Sequence, residues 1–381
     1  MNSSELVIIQ LIKSALFGFP LDLQSDVDWD AVFTEAKMQT IVPLVSDVVP
    51  AEYSAQWKST ALKEQANFIR IMYEQTKMTE LLKKHHIPFV ILKGAAAAVY
   101  YSTPMNRAMG DVDLLVAPGY FDDTFSLFKE NGYEFIHDFG DDRDYKFKKG
   151  GVLFELHKRY SDAGYDIEEY LIEGIKNAKT VQIYGNSFYA LPEPVNGLVL
   201  LDHIRHHLYG GIGIRQIIDF MLFVNSFKDE SKFENEVLPL FKKAGLFTFA
   251  CVIVKMCKMY FGLPLNASWC DGADEKTAEQ LLSTVMTNGN FGVKNPYVYR
   301  PVQSLSMDVK KNGIFKTLQR AGEENCVAFK KHKFLRPFAW IYQLFRYITK
   351  GISALFHGDL KSSDVSIGSQ KADFFERLGI Q

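Results

Sequence analysis

The chain has 381 residues, of which 47% are hydrophobic, so it can form several subdomains around a sizeable core. Its 43 basic residues are nearly balanced by 45 acidic ones, a net charge of −2, which gives no electrostatic basis for binding bulk nucleic acid. No apolar run reaches the roughly 18 residues needed to span a membrane. Reduced thiols in a cytoplasmic protein are favoured, because no C-x-x-C pair or zinc spacing is found among Cys251, Cys257, Cys270 and Cys326.

The pattern of apolar residues divides the chain into four regions. Residues 1–85 are predicted to be helical, and the first helix lacks the basic start of a signal peptide. Residues 86–191 alternate short strands and helices, whereas helical periodicity returns over 192–310 and in a tail, 311–381. We therefore predict an α+β fold, with a core built on a small mixed or antiparallel sheet and flanked by N-terminal and C-terminal helical regions.

Two hairpins are predicted within the central region. The segments DYKFKK and VLFELHKRY are rich in strand-forming residues, and Gly150 and Gly151 form a turn between them. The second hairpin is expected around Gly185. In VLFELHKRY the apolar residues alternate with polar ones, so one face of that strand presents Glu155 and His157.

The strongest chemical signal is the segment ILKGAAAAVYYSTPMNRAMGDVDLLV, residues 91–116. Asp111 and Asp113 are one residue apart on a predicted strand, so both carboxylates lie on one face while Val112 points into the core. Mg²⁺ prefers carboxylate oxygens together with substrate phosphates, so this pair is a candidate metal site. Glu155 is the candidate third carboxylate, provided that its strand lies next to the pair.

A second signal lies where the strand IPFVIL meets a helix of small residues. The missing side chain of Gly94 would let phosphates approach the backbone, where the amides of Ala95 and the next two residues face an anion. Lys93 or Arg107 would neutralise the charge of a triphosphate.

These motifs in order, L-K-G, a tyrosine-proline turn with an arginine and D-V-D-L-L-V, resemble the nucleotidyltransferase superfamily that includes DNA polymerase β. More closely, the chain resembles a bacterial branch of uncharacterised nucleotidyltransferases. FELH at 154–157, HIRHHLYGGIGIRQIIDF at 203–220 and NGNFG at 288–292 extend the similarity to roughly residues 25–300. The chain departs from the superfamily in one place, because Gly-Ala replaces Gly-Ser or Gly-Gly and removes a hydroxyl contact to a phosphate.

Three carboxylates around two Mg²⁺ or Mn²⁺ ions suit in-line attack on the α-phosphorus of a nucleoside triphosphate. The predicted reaction transfers a nucleoside monophosphate to an acceptor hydroxyl and releases pyrophosphate, with Glu155 also accepting the proton. The sequence does not decide whether the acceptor is a small molecule, a protein side chain or a nucleic-acid end. The near-neutral charge of the chain disfavours the nucleic-acid end. The sequence also leaves open whether the chain forms a homo-oligomer.

The resemblance places further residues beside the substrate. His157 is predicted as a partner of the metal ligands rather than a ligand. The region around residues 203–220 would wall the nucleotide cleft, which assigns a substrate-side role to His203, Arg215 and Asp219. Arg215 and Asp219 lie four positions apart on one predicted helix, where they could also pair with each other.

Each of these assignments has a plainer alternative. The aspartate pair would then only begin a strand, Glu155 would lie on a solvated face, and Lys93 or Arg107 would pair with a nearby carboxylate. The whole domain would then be a non-catalytic module that binds a nucleotide or a protein, which the Gly-Ala departure favours. The aromatic helix FAWIYQLFRYITKGISALF in the tail suits a membrane surface or, as we prefer, a core or dimer contact.

Overall fold

The fold was analysed in a computed structural model. It describes residues 1–23, 26–136, 144–160, 167–295, 301–326, 328–329, 332–356 and 363–380. The chain forms two compact units, Met1–Asn295 and Pro296–Gln381. No helix among the described residues is both long enough and apolar enough to cross a bilayer. The division into four regions stays a prediction.

The N-terminal region is helical, as its periodicity predicts. Its helices are α1 (Ser3–Phe17), α2 (Trp29–Met38), α3 (Val42–Val45) and α4 (Ser54–Lys84). The side chain of Asn2 accepts a hydrogen bond from the Glu5 amide, and the Glu5 carboxylate accepts one from the Asn2 amide, at 2.9 Å each. This capping box satisfies two amide groups that the first turn leaves unpaired, so α1 begins at a defined residue.

One seven-stranded sheet forms the centre of the first unit. Its strands are β1 (Phe89–Leu92), β2 (Asp111–Val116), β3 (Glu134–Ile136), β4 (Asp144–Lys149), β5 (Val152–His157), β6 (Lys179–Ile183) and β7 (Asn186–Ala190). Three helices lie between them, α5 (Gly94–Ala98), α6 (Phe121–Glu130) and α7 (Glu168–Lys176). The strand order is β3-β4-β5-β2-β1-β7-β6.

The sheet is mixed, which confirms the predicted fold class. β2 runs antiparallel to β1 and parallel to β5, while β4–β5 and β6–β7 are the two predicted hairpins. Val112 and Leu114 of β2 are buried in an aromatic-rich core with Phe128, Phe147 and Phe154. Each such phenylalanine contributes about 1.5–3 kcal/mol when fully buried. The core therefore fixes which face of β2 is left for the two aspartates.

A helical layer follows the sheet and covers α5. Its helices are α8 (Glu193–Leu208), α9 (Ile214–Asn225), α10 (Glu230–Lys232), α11 (Leu238–Lys243), α12 (Phe247–Phe261) and α13 (Glu275–Asn288), with a π-helical turn at Phe233–Val237. The buried Asn196 amide of α8 donates to the Ala96 carbonyl at 3.0 Å and lies 2.9 Å from the Tyr100 hydroxyl. These bonds fix α8 on α5.

The second unit consists of helices. They are α14 (Pro301–Asn312), α15 (Ile314–Asn325), α16 (Ala339–Phe356) and α17 (Ser363–Arg377). α14 packs against α17 and α15 against α16. A Cβ on Gly322 would lie 2.0 Å from the Ala339 carbonyl oxygen, so only glycine allows α15 and α16 this close. Short 3₁₀ turns lie at Ser46–Val48, Ala51–Tyr53, Pro104–Asn106, Ser268–Cys270, Asn290–Gly292 and Lys333–Phe338.

Candidate active site

Lys93 occupies a strained turn between β1 and α5. Its backbone has φ 47° and ψ −121°, a conformation that side-chain-bearing residues rarely adopt and that costs about 1–3 kcal/mol. Gly94 follows, and a Cβ there would lie 3.3 Å from the Met109 side chain and 3.6 Å from the Asp111 carbonyl oxygen. Gly94 thus brings α5 close to the start of β2. Such strain persists only where the surrounding structure enforces it, and it is typical of functional sites.

The three predicted carboxylates are brought together by the sheet. Because β2 and β5 are parallel neighbours, Asp113 is paired in register with Glu155, which confirms the predicted adjacency of their strands. Ligand atoms of Asp113, Glu155 and His157 all lie within 4.8 Å of one another. Asp111 lies two residues before Asp113 on the same strand face and lines the same cavity.

Two cationic or polar groups contact Asp113. The Lys93 ammonium lies 2.8 Å from Asp113 Oδ1, and His157 Nε2 lies 2.9 Å from the same oxygen. The alternative in which Lys93 pairs with a carboxylate is therefore what the structure shows, and His157 is a partner of Asp113 as predicted. A further ion pair joins Lys146 on β4 to Glu155, with 3.6 Å between Nζ and Oε1.

The carboxyl groups differ in their electrostatics. Burial alone would raise the pKa of Asp113, but the charge of Lys93 and the hydrogen bond from His157 outweigh it and lower this pKa. Burial, followed by the charges of Asp113 and Asp111, raises the pKa of Glu155 to about 7. Burial and the Asp113 charge also raise the pKa of Asp111. The cluster therefore holds more negative charge than its neighbours neutralise.

Arg107 lines the cavity but pairs with a carboxylate, the alternative left open for it, and that carboxylate is Asp219. Arg107 donates from Nη2 to Asp219 Oδ2 at 2.7 Å and from Nε to Oδ1 at 2.8 Å, and both side chains are buried. The Tyr101 hydroxyl also donates to Asp219, at 2.8 Å. Arg107 borders the cavity with its guanidinium engaged, while Asp219 is not among the cavity-lining residues. A bidentate partner from another segment takes the place of the expected Arg215–Asp219 pair.

Arg215 lies at the cavity instead. Its Nη1 donates to the Ala108 carbonyl at 2.5 Å, and its buried Nε–H finds no hydrogen-bond partner within the described part of the chain. Burial, followed by the charge of Arg107, lowers the pKa of Arg215. A guanidinium with an unused donor suits an anionic oxygen.

The predicted amide cradle is smaller than expected. The Ala97 amide donates to the Lys93 carbonyl at 2.6 Å, so it is engaged within α5 and the prediction is wrong for this group. Ala95 is fully buried and is not among the residues that line the cavity. Of the predicted phosphate-binding residues, Lys93, Gly94 and Arg107 do line it.

A cavity of about 320 Å³ joins these groups to α8. His203, His206 and His207 line it, and the rings of His203 and His207 are 4.4 Å apart. Burial lowers the pKa of His203 well below its usual range and that of His207 to about 4, so both imidazoles are neutral at pH 7. Phe291 closes the same cavity on the side of His207.

The sequence matches one known protein family over more than half of its length. Residues 25–262 match the family described as uncharacterised nucleotidyltransferase. The chain belongs to this family. The match spans the sheet, the carboxylate cluster and helices α8 to α12. Family membership, expected from the motifs, is therefore shown, while the bacterial origin and the wider superfamily stay predictions. No curated protein matches the chain.

Three solved structures are distantly similar to this nucleotidyltransferase family member. The crystal structure of ANT(2″)-Ia in complex with adenylyl-2″-tobramycin is 15% identical, with a TM-score of 0.31, over 42% of this chain and 91% of that one. A solution structure of the antibiotic-resistance factor ANT(2″)-Ia is 14% identical, with a TM-score of 0.34, over 47% and 94%. An antigenic nucleotidyltransferase-like protein from Paracoccidioides brasiliensis is 17% identical, with a TM-score of 0.30, over 46% and 88%. At these scores the likeness adds nothing to the family assignment.

Several cavity residues of this family member were missed by sequence reasoning. Lys146 had a signal, because hairpin register through Gly150 and Gly151 sets it opposite Glu155. Tyr160, whose ring centre lies 5.5 Å from Lys93 Nζ, has no local pattern that marks it. Phe291 lies in the NGNFG segment of the resemblance, but that segment alone assigned no role to its ring. Their position depends on contacts between segments far apart in the chain.

Proposed function

We propose that this family member is a metal-dependent nucleotidyltransferase, which moves a nucleoside monophosphate from a triphosphate to an acceptor hydroxyl and releases pyrophosphate. The observation that carries the proposal is the convergence of Asp113, Glu155 and His157 within 4.8 Å, with Asp111 on the same strand face and Lys93 at 2.8 Å from Asp113. Membership of a nucleotidyltransferase family supports the proposal, because nucleotidyl transfer would use such a cluster.

The donor set fits a hard divalent cation. Asp111, Asp113 and Glu155 offer the carboxylate oxygens that Mg²⁺ and Mn²⁺ prefer, and the resemblance implies two ions. Burial, followed by the neighbouring negative charges, raises the pKa values of Asp111 and Glu155, and a bound cation would offset those charges. A divalent cation bound here would neutralise triphosphate charge and acidify the acceptor hydroxyl.

The chain's own residues would hold the substrate and move the proton. Arg215, which has an unused Nε–H, and Lys93, which also contacts Asp113, would bind triphosphate oxygens. The guanidinium of Arg107 is instead held by both oxygens of Asp219. The acceptor oxygen would attack the α-phosphorus, the bond to the bridging oxygen would break, and pyrophosphate would leave. Glu155, with a pKa of about 7, would accept the acceptor proton. The acceptor would be a small molecule or a protein side chain.

A non-catalytic nucleotide-binding module is the second candidate. The observation that favours it is the double contact on Asp113, because the Lys93 ammonium and His157 already satisfy one of its oxygens. A carboxylate that is already paired in this way needs no metal ion, so a nucleotide could bind through the cationic side chains alone. The two candidates differ in whether binding requires a divalent ion.

Calorimetric titration of ATP, GTP, CTP and UTP, with and without Mg²⁺, separates them. The variant is Asp111→Asn, because Asp111 makes no ion pair with any described residue and its neutralisation leaves no cation stranded. The control is Asp123→Asn, an exposed carboxylate on α6. We expect Mg²⁺-dependent binding in the wild type and the control, and a loss of about 100-fold or more in Asp111→Asn.

The outcomes are distinct. Triphosphate binding that does not require Mg²⁺ and is unchanged in Asp111→Asn would favour the non-catalytic module. If the wild type binds no triphosphate under any metal condition, both candidates fail. A triphosphate that binds as expected is then labelled at its α-phosphate and incubated with hydroxyl-bearing acceptors, and transfer of label with release of pyrophosphate establishes the reaction.

A further inference from the structure

Phe291 is an aromatic residue whose side chain is largely exposed to solvent. Its side chain is 65% exposed, although it lines the cavity that contains the carboxylates. Its backbone has φ 53° and ψ 30°, the left-handed conformation that bulky residues rarely adopt. A strained backbone that holds a largely exposed ring at a cavity is typical of sites that bind ligands.

The loop around Phe291 is fixed in place. The Gly292 amide donates to the Gly289 carbonyl at 3.1 Å, and the Asn290 side chain accepts from Gln216 of α9 at 2.9 Å. A Cβ on Gly211 would lie only 2.3 Å from the Gly292 nitrogen, so two backbone segments are in direct contact there. The loop therefore presents the ring rather than leaving it to fluctuate.

The ring that contacts Phe291 is uncharged. Its ring centre lies 5.3 Å from that of His207, with the ring planes at 83°. Burial keeps the pKa of His207 at about 4, so the imidazole is neutral. The cavity thus has a charged end at the carboxylates and an aromatic end at Phe291 and His207. A ligand with a charged end and a flat end matches this division.

The loop that carries Phe291 is bonded to the start of α9, the helix that also carries Arg215. In the sheet, β1 and α5 lie on one side of β2, while β5 and β4 lie on the other. α8, which carries His207, is bonded to α5 through Asn196 and the Ala96 carbonyl. The β4–β5 side presents Lys146 and Arg159 instead, which suit a polar acceptor.

We propose that Phe291, backed by His207, is the stacking platform for the nucleobase of the triphosphate. The inference rests on the proposed function, in which Lys93 and Arg215 bind the phosphates. Every nucleobase offers a flat π-face, so such a platform accepts all four bases and favours the larger purines. The class of ligand is therefore a nucleoside triphosphate with the base at Phe291.

The test compares nucleotides with a phosphate chain that lacks a base. ATP, UTP and inorganic tripolyphosphate are titrated with Mg²⁺ into the wild type, Phe291→Gly, Phe291→Tyr and the control Val293→Ala. Glycine fits the left-handed backbone, tyrosine keeps the ring, and Val293 is an exposed residue of the same loop outside this cavity. We expect Phe291→Gly to weaken ATP binding about tenfold and UTP binding less, with tripolyphosphate binding unchanged. Phe291→Tyr and Val293→Ala should bind ATP like the wild type.

Each contrary result has a definite meaning. A wild type that binds neither ATP nor UTP overturns the proposed function and the platform with it. A wild type that binds ATP while Phe291→Gly binds it equally well overturns the platform alone. Equal losses for ATP and tripolyphosphate in Phe291→Gly would mean that the loop supports the phosphate site, which also overturns the platform.

Discussion

Two buried groups of charged residues lie near the same cavity, and they differ in how their charges are balanced. The arginine–aspartate pair (Arg107 and Asp219) has one cation for one anion in bidentate contact. In the carboxylate cluster (Asp111, Asp113 and Glu155) the pKa of Asp113 is lowered by Lys93 and His157, whereas burial and neighbouring carboxylates raise the pKa values of the other two acids. Burial of a charge is tolerated when a partner offsets it and costs free energy when it does not. The imbalance of charge, rather than the burial, is what makes the cluster a candidate cation site and the pair a structural contact.

The largest effect is expected from breaking the balanced pair. Arg107→Ala leaves the buried Asp219 without its cation, so the free energy of unfolding should fall by about 3–5 kcal/mol in urea denaturation at pH 7. The triple variant Arg107→Met/Asp219→Leu/Tyr101→Phe removes every polar member and should recover most of that loss. An Arg107→Ala protein within about 1 kcal/mol of the wild type would contradict a structural role for the pair.

The second effect concerns metal binding to the unbalanced cluster. Mg²⁺ or Mn²⁺ at a hundred times its dissociation constant should stabilise the folded wild type by about 2.7 kcal/mol, because it binds only the folded state. Asp111→Asn should lose this response, which thermal melts with and without the ion measure. The triple variant of the arginine–aspartate pair should keep it. A response that survives Asp111→Asn would place the ion elsewhere.

The third effect is a greater stability of the Glu155→Gln variant than of the wild type at high pH. In the folded state the pKa of Glu155 is about 7, against an ordinary value of 4.5, so ionisation of this group favours unfolding as the pH rises from 4.5 to 7. Glu155→Gln should therefore raise the free energy of unfolding at pH 8 by on the order of 1–2 kcal/mol in the presence of a chelator, after the loss of the Lys146 contact. At pH 4.5 the variant and the wild type should be close. Glu130→Gln, which removes an exposed carboxylate of α6, serves as the control. A Glu155→Gln protein that is less stable than the wild type at pH 8 would contradict the prediction.

The smallest effect is expected at the glycine beside the cluster. Gly94→Ala adds a methyl group 3.3 Å from the flexible end of Met109, and alanine favours the helix, so stability should change by less than about 1 kcal/mol. Gly110→Ala, whose Cβ meets nothing within 4 Å, is the matched control. Urea denaturation measures both. A loss above about 2 kcal/mol at Gly94 alone would show that the close packing of α5 on β2 is rigid.

The features that the sequence predicted correctly depend on local patterns. Alternation in β2 and β5 assigns the faces of Asp113 and Glu155, and glycine turns define the hairpins. The pairing of Arg107 with Asp219 could not be predicted, because the two residues are 112 positions apart and only the packing of α9 brings them together. The i, i+4 spacing of Arg215 suggested the wrong partner for the same reason. A surface pair contributes about 0.2–0.5 kcal/mol, which a buried bidentate contact exceeds.

The alternation of β2 also protects the fold against a particular error. Strand pairing that slipped by one residue would exchange the two faces of β2. Asp111 and Asp113 would then enter the core beside Phe147 and Phe154, and Val112 would face the cavity. Two carboxylates without partners in an apolar interior cost several kcal/mol each, so the slipped register is excluded. Asp111 and Asp113 therefore also favour the correct strand register. A variant that replaces both by leucine would lose the burial cost that distinguishes one register from the next.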